Sequence, residues 1–258
     1  MKTAYVVGSI DVAEIALWAF FLFFVALVFW LRREDRREGY PLEDEINGFI
    51  ESVGGPLSTA LPKTFRLPFD RGTVSYPLPR EEGREPVDIA AKRYENFPGA
   101  PYVPTGNPLV DGVGPASYAN RAKWPDQDAH GRARIVPLST EDHISVWKGG
   151  PDPRGMKVTA ADGKVAGTVT DLWIDRAEHQ VRYLQVETAS GKTVLAPMAM
   201  ASVSTSGVNI DAINAADYDA VPQLASATEI TRYEEERVIG YFGGGYLYAN
   251  AGRQEPIL

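Results

Sequence analysis

The chain has 258 residues, of which 44% are hydrophobic and 23% charged, enough for one good-sized core or two small ones. A formal net charge of -8 argues against a nucleic-acid partner, because phosphate binding needs an extended basic surface. The absence of cysteine excludes disulfides, thiolate metal sites and a cysteine nucleophile, which is compatible with a reducing compartment without proving one.

From Val12 to Leu31 the only charge is Glu14, and every residue from Ile15 to Leu31 is apolar. Twenty residues at about 1.5 Å each span roughly 30 Å, the thickness of a bilayer's hydrocarbon layer. The sequence therefore predicts a membrane-spanning helix over residues 12–32, continuing past the membrane as far as 38. Asp11 is placed to cap it with Glu14 three residues on, and Trp18 and Trp30 lie toward its ends, where indole rings favour the lipid–water boundary. Arg32, Arg33, Arg36 and Arg37 follow the apolar run, and Lys2 stands alone before it. A cleaved signal peptide has the opposite polarity. By the positive-inside rule the arginines keep the C-terminal end of the helix in the cytoplasm, leaving residues 1–11 as a periplasmic tail. They also lie close enough to the headgroups to bind anionic lipid. Gly39 supplies a C-cap, Pro41 forbids continuation, and Tyr40 marks the turn.

Residues 33–105 are expected to form an extended, surface-following segment, since from 42 onward proline and glycine recur every few residues. Phe65, Leu67, Phe69, Val74 and Tyr76, at near-alternate positions, are its expected apolar anchors. Residues 106–258 are expected to be a globular, mainly β domain. Within it "KVAGTVTDLWID", "QVRYLQVETASGKTVLAPM" and "ASVSTSGVNIDAI" read as strands parted by DGK, SGK and TSG turns, a small antiparallel barrel over about 150–215. One short C-terminal helix is predicted after the capping-box pair Thr231 and Glu234, with Gly243 to Gly245 ending it.

The glycine-rich pieces "VDGVGPAS" and "YFGGGYLYANAG" fit neither a dinucleotide fingerprint nor a phosphate loop, and there is no GxSxG or HExxH. The one conspicuous polar cluster is "WPDQDAHGRARIVP", where Asp126, Asp128 and His130 form DxDxH. In an extended run all three side chains share a face, able to hold a divalent metal or to exchange protons with water. As a metal site it lacks a secure third or fourth ligand, because Arg132 stands where another is wanted. A second group, "DLWIDRAEHQVRYL", brings Asp171, Asp175 and Glu178 to a hairpin beside Arg176 and Arg182; surface turn charges are the default reading. The three glutamates at 234–236 read as the first turn of a helix, where negative charge is favourable. The residues alone thus give a single-pass membrane protein with a β-rich domain and no catalytic machinery.

Taken in order, "LRREDRREGYPLE", "PKTFRLP", "PTGNPLVDGVGPASY", "RIVPL", "DPRGM", "GTVTDLWIDRAEHQVRYLQVE" and "EEERVIGYFGGGYLYA" resemble the H subunit of the purple bacterial photosynthetic reaction centre, from about residue 10 to the C-terminus. The resemblance implies a non-pigment accessory subunit of the intracytoplasmic photosynthetic (bacterial inner) membrane. Its helix packs beside L and M subunits that carry bacteriochlorophyll, bacteriopheophytin, quinones and non-haem iron, none of them bound by this chain alone. It implies a cytoplasmic domain similar to a PRC barrel, capping L and M on the quinone side and passing protons inward. Asp128 and His130 then match the proton entrance, Glu178 the interior relay and Arg182 its neighbouring arginine. Arg182 and Tyr40 are expected to have tuning or structural roles near the quinone side. A cytochrome subunit, a light-harvesting antenna and an anionic lipid such as cardiolipin are further implied neighbours. Arg132 replaces a histidine common in the family, so inhibitory divalent-metal binding at Asp128 and His130 is expected to be weak, and proton uptake is expected to lean more on Asp128 and His130, with Asp126 a partial substitute. The 42–60 loop matches poorly and supports no inference. The competing readings are a membrane-tethered PRC-like adaptor for a cytoplasmic partner and, against the missing motifs, a membrane-bound hydrolase or metalloenzyme.

Overall fold

The computed structural model describes residues 11–42, 44, 49, 57–77 and 89–254. The expected tail before Asp11 and most of the 42–60 loop lie outside them. The described residues of Met1–Val87 and Glu95–Ala100 form one compact unit, and those of Asp88–Tyr94 and Pro101–Leu258 a second.

The first unit begins with α1, Val12–Glu34, whose apolar run has no β-branched cluster or proline to interrupt it. Asp11 caps it by accepting from the Ala13 amide at 2.8 Å. At about 1.5 Å per residue it is roughly 34 Å long, sufficient to cross a bilayer, and its side chains are not covered within the unit. The helix tightens into a single 3-10 turn, Asp35–Arg37, and stops where Gly39 takes φ 76°. Strands β1 (Lys63–Arg66) and β2 (Thr73–Tyr76) follow as an antiparallel hairpin. The expected anchors behave unequally: Leu67, Val74 and Tyr76 are half-buried, while Phe65 and Phe69 are exposed. A two-stranded ribbon has no second layer to cover its outer face.

The second unit opens with the short antiparallel pair β3 (Ala91–Arg93) and β4 (Tyr102–Pro104) and with α2 (Pro108–Asp111), capped by Asn107. The main sheet contains β5 (Ile135–Pro137), β6 (Lys157–Thr159), β7 (Val165–Asp175), β8 (Gln180–Thr188), β9 (Thr193–Pro197), β10 (Ser202–Ser204) and β11 (Gly207–Asn209). Its order is β10-β11-β6-β7-β8-β9, and β5 shares with β6 the edge of the long β7. The sheet is mainly antiparallel, as expected, with two departures from a simple closed barrel. β11 runs parallel to β6, a pairing that needs a long crossover, supplied here by β7 to β10. Strands β9 and β10 do not pair among the described residues, so the sheet stays open.

Trp173, Leu172, Tyr183, Leu184, Tyr218 and Phe242 are among the largest fully buried side chains of this unit. Helix α3, Arg232–Tyr248, starts as predicted: the Thr231 hydroxyl accepts the Glu234 amide at 3.1 Å and the Glu234 carboxylate accepts the Thr231 amide at 2.8 Å. Its end differs from expectation, because the helix runs through Gly243–Gly245 to Tyr248. The glycines serve close packing instead of a stop. A Cβ at Gly240 would stand 2.8 Å from the Ser117 carbonyl oxygen, and one at Gly244 2.8 Å from the Ala116 Cα. Backbone contact at this range offsets the roughly 1 kcal/mol that each helical glycine costs.

Candidate functional site

The DxDxH segment is not an extended run, the arrangement that would have put its three side chains on one face. Gln127 bridges Ala133, the Asp128 amide donates to the Arg132 carbonyl at 2.9 Å, and Gly131 at φ 79° closes a tight loop. The loop sends its side chains apart. Asp128 folds inward, its side chain 8% exposed, and accepts from the amides of His130 (2.8 Å) and Arg132 (3.0 Å) and from Arg132 Nε (2.9 Å) and Nη2 (2.8 Å). The Arg132 amide, with these other donors, pulls its carboxyl from 3.8 down to about 2. His130 stays exposed. Because the folded value lies below the unfolded one, Asp128 supports the loop above pH 3.8 and loses that role as pH falls toward 2. A carboxyl-carbon NMR titration is expected to show this low midpoint, and a midpoint near 3.8 would mean that the Arg132 contact does not form in solution.

Asp126 turns the other way, into a cleft of about 420 Å³. One wall is built where β5 begins and β7 ends. There Arg134 Nη2 donates to Asp175 Oδ2 at 2.5 Å and to Glu178 Oε1 at 2.8 Å, Nε donates to Asp175 Oδ1 at 3.3 Å, and Nη1 lies 3.5 Å from Asp126 Oδ2. One guanidinium thus serves three carboxylates. Asp175 is 2% exposed and also accepts from the amides of Ala177 and Glu178. Burial opposes its ionisation, but Arg134 and these two amides together hold its carboxyl below the ordinary range. The β7–β8 turn places Glu178 at the rim, 55% exposed, with Arg182 following on β8.

The opposite wall is the first two turns of α3, where Arg232, Glu235, Glu236 and Ile239 line the cleft. Glu236 pairs with Arg121 at 3.0 Å. Glu235 is half-buried and accepts from the hydroxyl of buried Tyr183 at 3.0 Å. Burial pushes its carboxyl up, more than Tyr183, Arg182 and Arg232 pull it down, and Asp126 adds to the rise. Reading the three glutamates as helix-start charge missed this residue. A signal was present: Glu234 is occupied with the cap and with the Ala225 amide at 2.7 Å, and the next residue lies about 100° around the helix, on another face. Of the expected residues, the cleft therefore gathers Asp126, Glu178 and Arg182, adds Arg134, Asp175 and Glu235, and leaves Asp128 and His130 outside its lining.

Residues 4–140 match the family model of the photosynthetic reaction centre H-chain N-terminal region, more than half of the chain. The chain belongs to this H-chain family. Residues 148–216 of this H chain match the PRC-barrel domain, which includes β6 to β11. The H chain is a subunit of the photosynthetic reaction centre, in general a non-catalytic one that associates with the L and M subunits. The match sets aside the adaptor and hydrolase readings, and with α1 it makes the protein membrane-anchored. Among the described residues no three His, Asp or Glu side chains group to hold a metal ion, and a divalent cation at Asp128 would have to displace Arg132.

The remaining expected residues lie at the end of α1. Arg37 holds Glu34 through Nε (2.8 Å) and Nη2 (2.7 Å), while Nη1 donates to the carbonyls of Leu61 (2.8 Å) and Tyr76 (3.1 Å). Arg36 donates to the Leu57 carbonyl at 2.5 Å and stacks over Tyr40 with 5.1 Å to the ring centroid. Arg32 and Arg33 make no ion pair among the described residues.

Proposed function

We propose that this H chain caps the L and M subunits on the cytoplasmic side and conducts protons from the cytoplasm to their secondary quinone during light-driven electron transfer. The bacteriochlorophyll, bacteriopheophytin, quinones and iron are carried by L and M in this reading. The arginines at the end of α1 set the orientation by the positive-inside rule, and Arg32 and Arg33 are the pair available to an anionic lipid.

The observation that carries the proton role is the cleft, in which three guanidinium-bound carboxylates face a half-buried one. A doubly reduced quinone takes two protons, yet a wide aqueous opening would expose a low-dielectric electron-transfer site to water. A protein lid with spaced titratable groups reconciles the two needs. The exposed imidazole of His130 takes protons from water, Asp128 holds its loop in shape, and Asp126 and Glu178 pass them along the cleft.

Replacing Asp128 and His130 together, or Glu178→Gln alone, is expected to slow the proton-coupled second electron transfer to the secondary quinone by roughly tenfold, a barrier increase of about 1.4 kcal/mol. Flash-induced absorption kinetics on purified reaction centres measure this. Unaltered kinetics in both variants would remove the proton role and leave the structural one.

A further inference from the structure

We infer that Glu235, with Tyr183 as its positioning donor, is the group on which a proton resides while crossing the cleft. The inference rests on the proton-conducting reading above and gives a role in the transfer to a residue to which that reading assigns none.

Geometry sets Glu235 apart from the other acids around it. Five carboxylates line the cleft: Asp126, Asp175, Glu178, Glu235 and Glu236. The first three lie within 4 Å of Arg134, and Glu236 pairs with Arg121. A proton arriving at any of these must compete with a fixed cation. Glu235 is the one of the five with no ion pair among the described residues, and it is also partly withdrawn from water. The one hydrogen bond of its side chain among the described residues comes from Tyr183, whose hydroxyl serves Oε2 and leaves Oε1 open to accept a proton.

The groups facing it fix how firmly the proton is held. Burial and the negative charge of Asp126 favour the neutral acid, while Arg182 on β8 and Arg232 on α3, with Tyr183, favour the carboxylate. Arg134, Asp175, Glu178, Arg121 and Glu236 complete the charged part of the lining as closed ion pairs. The opposed influences allow release as well as capture. In the step itself the carboxylate takes one proton from the Glu178 side to become the acid, then gives one proton onward and returns to the carboxylate. No electron moves and no other bond is made.

The test uses intact reaction centres containing this chain, compared by light-minus-dark infrared spectroscopy on reduction of the secondary quinone. The wild type is expected to give a protonated-carboxyl C=O band that moves in D2O. Glu235→Gln is expected to remove it and slow second electron transfer about tenfold, while Glu187→Gln, an exposed carboxylate outside the cleft, leaves it in place. Tyr183→Phe keeps the acid but removes its donor, so the band is expected to change frequency and the pH profile of the rate to move to higher pH. If Glu235→Gln does not assemble, Tyr183→Phe and Glu235→Asp decide by the same band. An unmoved band in the variants that assemble overturns the inference. If that occurs while Glu178→Gln still slows the reaction, proton conduction stands without Glu235; if no variant slows it, the broader reading fails too.

Discussion

Arg134→Ala is expected to destabilise the second unit by about 3 kcal/mol, the lower end of the cost of removing one partner from a buried ion pair. Arg134 is 24% exposed, but Asp175 is 2% exposed and would keep only the Ala177 and Glu178 amides. An anion with two donors and no cation is left in a site shielded from water. For a unit of this size the melting temperature should fall by roughly 6–12 °C, measured by circular dichroism in detergent. The sign of the pH dependence follows from Asp175. Its folded carboxyl is held below 3.8, so the stability it contributes is present above that pH and is lost as pH falls through the lower folded value. The gap between wild type and variant should therefore be full at neutral pH and shrink in acid. Arg134→Ala combined with Asp175→Asn should recover part of the loss, since no buried charge is then stranded. Equal melting of wild type and Arg134→Ala would show that the ion pair does not hold this corner together.

Gly244→Leu should disrupt α3 by at least about 3 kcal/mol, at or beyond the upper range for overpacking a core. An added Cβ would lie 2.8 Å from the Ala116 Cα and 2.9 Å from its backbone nitrogen, and backbone on both sides cannot yield as a flexible side chain would. The control is Gly252→Ala, where nothing lies within 4 Å and little change is expected. Chemical denaturation of the two variants separates them. Similar midpoints would mean that α3 does not seat on the 114–117 turn in solution.

The parts of the fold legible beforehand were those decided by neighbours in the chain. The apolar run of α1 and the Thr231–Glu234 cap are local patterns, and β7 and β8 are marked by their own β-branched and aromatic residues. The misread parts are decided by distant contacts. Gly243 to Gly245 look like a helix stop until the backbone at Ala116 and Ala212 and the side chain of Ile213 are known to lie against Gly244 and Gly245. Asp126, Asp128 and His130 look coplanar until the turn at Gly131 separates them. The parallel contact of β11 with β6 and the open edge between β9 and β10 leave no trace in local periodicity. The candidate site divides in the same way. Glu178 and Arg182 stood out within one hairpin, whereas Arg134 meets Asp175 across 41 positions and Tyr183 meets Glu235 across 52. No spacing rule reaches so far.

The clasp of Arg37 on Glu34, Leu61 and Tyr76 makes α1 a lever with a fixed handle. A membrane helix left to itself tilts or rotates to match the thickness of its bilayer. Here such a movement cannot be absorbed by a slack joint, because the same guanidinium grips Glu34 in the last turn and the open end of the β1–β2 ribbon, at Tyr76 and at Leu61 just before β1. Torque generated among the acyl chains is thereby delivered to that ribbon.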